Sequence, residues 1–200
     1  MLVALLALTG CGFLKPARSA ERRFLLTPLP TVASTTVLGD APRVGVGQVK
    51  LPAYLYNTSL AVRRGTNEVD YLPLALWAER LDTGAQRVLA ANLAILLPTD
   101  QIRLSVWRSE DVSAEVYVAI EQFDVDTSGK AALVSRWRVM SPGGEKTLKA
   151  GECRFTHEGP SPEANPSGAV ATLNHLLADL SRQLAQAIKE TAAGSGRERL

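Results

Sequence analysis

The chain has two cysteines and two histidines, and it has no excess of charge of one sign: 22 basic residues stand against 20 acidic ones, a formal charge of +2. Each shortage excludes something. The charges are mixed along the chain, with Lys149, Arg154 and the Arg136, Arg138 pair scattered, so there is no electrostatic footprint for nucleic acid. His157 and Cys153 lie four apart with no third ligand beside them, well short of the four that a structural zinc site takes, and no metal or cofactor is expected. Asp124, Asp126, Ser128 and Gly129 have a faint calcium-loop look but lack the terminal bidentate carboxylate, and read as turn chemistry. Gly45 and Gly47 open no helix, which excludes a phosphate-cradling loop. No nucleophile–base pair or carboxylate pair is marked either, so the chain is not expected to be an enzyme.

Long apolar runs are missing as well. The longest uninterrupted stretch, Leu2 to Leu8, is far below the roughly 20 residues a membrane-spanning helix needs, but it suits the core of a signal peptide. Leu8, Thr9, Gly10 and Cys11 then follow the lipoprotein rule: an apolar residue, small residues, and a cysteine whose thiol takes diacylglycerol as a thioether. Cys11 is therefore the expected lipidation site, with a second acylation at its freed amine; several acyl chains make anchoring stable where one does not. Only Met1 precedes Leu2, so the basic segment usual before such a run is missing and the true start is expected upstream. Gly12, in place of an inner-membrane retention Asp, favours the outer membrane, with the protein on its periplasmic face. With Cys11 used by lipid, Cys153 has no intramolecular disulfide partner and reads as a small sheet residue.

What is present reads as one α+β domain, with a mixed, mostly antiparallel sheet and two main helices packed on one face. The expected divisions are a leader (1–10), a lipidated tether (11–22), the domain (23–192) and a flexible tail (193–200). Phe24–Thr27 and Val44–Val49 read as short strands. Ser59 to Leu72 reads as a hairpin turning at Gly65, Thr66 and Asn67 and closed by Pro73. From Leu74 the period becomes helical, with Trp77 and Leu81 on one face. A break at Asp82–Gly84 follows, then a Thr83/Gln86 capping box and an apolar stripe of Val88, Leu89, Leu93, Leu96 and Leu97 up to Pro98. Val112–Asp126, Ala131–Met140 and Glu145–Thr156 read as an antiparallel meander. In the first of these strands Val112, Ala114, Val116, Val118 and Ile120 share one face, and Tyr117, Ala119, Phe123 and Val125 the other. Gly168–Ala192 reads as a long helix with Leu173, Leu177, Leu180, Leu184 and Ile188 on its buried side. Trp77 and Trp137 are expected in the core. Tyr54 and Tyr56, beside Pro52 in an exposed connection, are the candidate partner interface.

Val49, Leu51, Pro52, Tyr54 and Leu55, then Val62–Gly65 with Glu68 and Tyr71, then Trp77–Leu81, Val88, Leu89, Asn92 and Leu93, and finally Phe123, Asp124, Gly129, Leu133 and Trp137, resemble the ABC-type transport auxiliary lipoprotein family, of the paraquat-inducible protein C type. The resemblance implies a non-catalytic subunit, held at the outer membrane by the Cys11 lipid, that docks an ABC transporter and a mammalian-cell-entry protein in lipid transport across the periplasm. It also leaves room for a homo-oligomer. Two other readings stand beside it: a carrier holding lipid in its own cavity between sheet and helices, and an envelope assembly lipoprotein that chaperones an outer-membrane protein.

Overall fold

The strand that organises the domain runs from Ala114 to Asp126, and the sequence makes it so by placing a small or β-branched residue at nearly every inward position. In the computed structural model, which describes residues 20–31 and 41–197, this is the sixth of eight strands. In chain order they are β1 (Arg22–Phe24), β2 (Val44–Val46), β3 (Ser59–Gly65), β4 (Glu68–Trp77), β5 (Ile102–Leu104), β6 (Ala114–Asp126), β7 (Ala131–Met140) and β8 (Thr147–His157). Two helices, α1 (Leu81–Leu96) and α2 (Pro166–Arg197), pack on each other and on one face of the sheet. The leader, Cys11 and most of the Thr31–Asp40 loop lie outside the described residues.

One edge of β6 pairs along its whole length with β7, and β7 pairs in turn with β8, giving the expected antiparallel meander. The other edge of β6 is divided. Its first residues pair parallel to β2, Lys50 bridges Ala119, and its last two residues pair parallel to β3. Beyond β3 come β4 and then β1, while β5 extends the sheet past β2. The antiparallel ladders are the long ones, and the parallel pairings are two or three residues each.

Two bulges separate this architecture from the simplest reading of the sequence. Pro73 does not close the hairpin. The register slips between Leu60↔Leu72 and Ser59↔Leu76, so the residue without an N–H falls in the irregularity and β4 continues to Trp77, where β1 joins it. Trp77 is therefore a strand residue, and the helical pattern expected from Leu74 begins only at Leu81. In β6 the register slips between Ile120 and Gln122. An extra residue reverses the alternation that follows, so Phe123 and Val125 join Val116, Val118 and Ile120 in the core, not Tyr117 and Ala119 on the other side.

α1 is unbroken through Asp82–Gly84, and the Thr83/Gln86 capping box does not form. Asp82 sits in the first turn, where a carboxylate complements the helix dipole. It accepts from the Thr83 N–H at 2.9 Å and pairs with Arg80 at 2.8 Å. Hydrogen bonding from Arg80 holds the Asp82 carboxyl below the usual range. Gln86 is used elsewhere: its amide donates to the Val46 carbonyl at 2.9 Å and fastens α1 to β2. The α2 stripe falls as the leucine spacing requires, with Leu173, Leu177, Leu180, Leu184 and Ile188 fully buried. The helix runs past Ala192 to Arg197, into the segment expected to be a tail. Between the helices Asn92 donates to Ser181 at 3.0 Å and accepts from the Leu29 N–H at 2.7 Å, which straps the segment after β1 across both.

Candidate functional site: the open face of the sheet

The helices cover one face of β6, β7 and β8; the register fixes what projects from the other. Tyr117 on β6 lies opposite Arg138 on β7, and Arg138 opposite Ala150 on β8; in the next row Ala119, Arg136 and Glu152 correspond. These side chains, with Gln48 and Lys50 after β2, line a groove of about 550 Å³. A smaller hollow of about 370 Å³ lies beside it at the Trp107 end.

Each end of the groove is tied down through a buried carboxylate on β6. At the C-terminal end Asp124, only 2 % exposed, accepts from Arg63 at 2.6 and 3.2 Å, from the Tyr54 hydroxyl at 2.8 Å and from Gln122 at 2.9 Å. Tyr71 in turn donates to the Tyr54 carbonyl at 3.0 Å. Burial first, and the neighbouring Asp124 charge second, push the Tyr54 phenol well above its ordinary value. At the N-terminal end Glu115, equally buried, accepts from the Trp107 indole N–H at 3.0 Å, the Tyr117 hydroxyl at 2.8 Å and the Gly143 N–H at 2.9 Å. Burial and the hydrogen bond to Glu115 raise the Tyr117 phenol as well.

Gly45 and Gly47 find their purpose here. An added Cβ at Gly45 would lie 2.5 Å from the Trp107 ring, and one at Gly47 2.7 Å from the Tyr117 ring. Both aromatics rest directly on glycine backbone, so the pair that the sequence shows as a bare glycine repeat is a seat for two rings.

The two tyrosines expected in an exposed connection occupy the short 3-10 turn Ala53–Tyr56 but face different ways. Tyr56 is half exposed, its ring under the Arg80 guanidinium at 5.4 Å. Tyr54 is turned inward, because a buried Asp124 needs its hydroxyl. Trp137 and Trp77 are core residues. Cys153 is half-buried on β8, and desolvation raises its thiol above the ordinary value, which marks a packing residue and not a reactive one. His157 ends β8, with Nε2 2.6 Å from an Asp179 carboxylate oxygen of α2 and its ring edge-on to His175. Asp126 gathers Ser128, Gly129 and Lys130 N–H groups onto one oxygen, which is turn chemistry. Among the described residues no cluster of three or more metal-ligating side chains forms, and no helix is long and apolar enough to cross a membrane.

The sequence did not mark Lys50, Arg136 and Arg138 as neighbours. Their only local signal is the alternation of β6 and β7, which puts residues 117, 119, 136 and 138 on one side once pairing is known.

The domain is a single α+β unit with a filled helix face and an open face that carries a groove lined in part by charged side chains. The chain belongs to the family of ABC-type transport auxiliary lipoprotein components, whose pattern matches residues 24–185. Two solved structures share the fold. An uncharacterized protein superposes with a TM-score of 0.65 at 20 % identity, over 84 % of this chain and 99 % of the other. A Xanthomonas campestris protein gives 0.68 at 10 % identity, over 88 % and 99 %. Nothing matches among curated proteins.

Proposed function

We propose that the chain is a lipid-anchored, periplasmic docking subunit of an ABC-type intermembrane lipid transport system, held at the outer membrane by Cys11 and engaging a mammalian-cell-entry partner without catalysing a reaction. The observation that carries this reading is the family match across nearly the whole folded domain. The packing supports it. Among the described residues the layer between sheet and helices is filled by Leu89, Leu93, Phe123, Leu133, Leu173, Leu177, Leu180 and Leu184, each 1 % exposed or less, a packing that favours docking over a carrier with a cavity in that layer.

Tyr56 is the best-placed reporter, being aromatic, half exposed and fixed by Arg80. With a photo-crosslinking amino acid at Tyr56 in cells, the expected product joins the chain to the mammalian-cell-entry component. Irradiation that gives adducts to unrelated envelope proteins alone contradicts the docking role. Separately, exchanging residues 1–11 for a leader cut by the ordinary signal peptidase should move the protein from the membrane fraction to the soluble periplasm. Retention on the membrane without the lipid would contradict the anchor.

A further inference from the structure

The open-face groove combines features that contact with a protein partner does not by itself require. Its floor is the ring of Tyr117 with Ala119 and Ala150, residues small or flat enough to leave a hollow on a sheet that side chains would otherwise fill. The Tyr117 hydroxyl is already committed to Glu115, so the ring stands fixed as an apolar wall. Three cations line the groove, and they are not equivalent. Arg136 is held by Glu121 at 3.1 Å and lies across from Glu152. Lys50 and Arg138 make no ion pair with any described residue, although both border an apolar floor. At about 550 Å³ the groove falls inside the usual range for small-molecule sites, roughly 300–1,000 Å³, with the usual plan of apolar lining and few polar groups.

From this geometry we infer that the groove binds a phosphate-bearing amphiphile, with its phosphate held between Lys50 and Arg138 and its first methylenes laid on Tyr117, Ala119 and Ala150. Arg138 supplies a planar fork suited to two phosphate oxygens, and Lys50, which bridges Ala119 on the other side of β6, a point charge. The site stands on its own chemistry, and it is independent of which protein the chain docks.

The test is calorimetric titration of the periplasmic, lipid-free chain with dihexanoyl phosphatidylglycerol below its micelle concentration, beside inorganic phosphate and the uncharged amphiphile octyl glucoside. The phospholipid is expected to bind at least tenfold more tightly than either comparison probe. Lys50→Gln with Arg138→Gln should weaken it at least tenfold. Ala150→Phe, which fills the floor from an exposed position on an edge strand, should abolish binding with the melting temperature unchanged. Equal binding of inorganic phosphate removes the apolar half of the site, equal binding of octyl glucoside removes the anionic half, and either result overturns the inference. So does phospholipid binding that survives Ala150→Phe. Absence of binding in a chain that sediments as an oligomer, and that Ala150→Phe dissociates, would show the groove covered by a second copy and would overturn it as well.

Discussion

The two faces of the sheet solve opposite problems. The helix side is apolar and filled, with its long leucines and Phe123 excluded from solvent and few polar atoms to satisfy. The open side buries two carboxylates at the ends of β6, and between them leaves a hollow edged by cations. Non-directional burial holds the first face; specific hydrogen bonds hold the second. The contrast teaches that the apolar core and the proposed recognition surface lie on opposite sides of one layer of strands, and that the open side adds to stability through its two buried ties.

The open face holds a second contrast. Asp124 is met by a guanidinium, a phenol and an amide, whereas Glu115 is met by an indole, a phenol and a backbone N–H, with no cation bonded to it among the described residues. The first tie holds the Ala53–Tyr56 turn, and the second holds the loop carrying Trp107.

The largest effect is expected on the filled face. Leu177→Ala deletes a fully buried side chain and should cost about 2–5 kcal/mol in urea unfolding. A loss under about 1 kcal/mol would show that this face is looser than the packing implies. Arg63→Met comes next. It leaves the Asp124 carboxylate buried without its cation, a loss of about 3–5 kcal/mol for a fully buried pair, reduced toward about 2 because a quarter of the Arg63 side chain is in solvent. Adding Asp124→Asn should restore part of that loss, and a double variant no better than the single would contradict the pairing. Tyr117→Phe removes one of three donors to Glu115 and should cost about 1 kcal/mol, since the other two remain.

A pH profile sharpens the same comparison. The raised Tyr54 phenol means the neutral form is favoured in the folded state. Its contribution to stability is fully present below the ordinary phenol value of about 10 and is lost as the pH rises from there through the folded value. Tyr54→Phe should flatten the alkaline slope of stability above that point. An unchanged slope would detach Tyr54 from Asp124.

Local rules carried much of this fold. The hairpin turn, the meander and the α2 stripe follow from turn chemistry and periodicity; the meander and the stripe stand where the sequence puts them, while the turn is only Thr66 and Asn67, because Gly65 still pairs with Glu68. The failures have physical causes. Pro73 reads as a stop unless a bulge is known to absorb it, and Phe123 and Val125 read as outward-facing unless the slip before Gln122 is known. β5, three residues long, gives no periodic signal, and the parallel pairings of β6 with β2 and β3 join segments about 70 and 60 residues apart that no local pattern can match. The site was less legible for the same reason. Tyr54 was visible as an aromatic near Pro52, but its orientation depends on an Asp124 distant in the chain, and the groove's cations come from β7 and from the segment after β2, more than 80 residues earlier.

The separation of the two faces is the central claim, and a paired crosslinking scan tests it most directly. Photo-reactive residues at Gln48 and Glu152, which line the open-face groove, are compared in cells with the same residue at Arg182 and Gln186, on the solvent side of α2. Adducts to the transport partner from the first pair and not from the second are expected. Adducts confined to Arg182 and Gln186 would place recognition on the helix side and contradict the account.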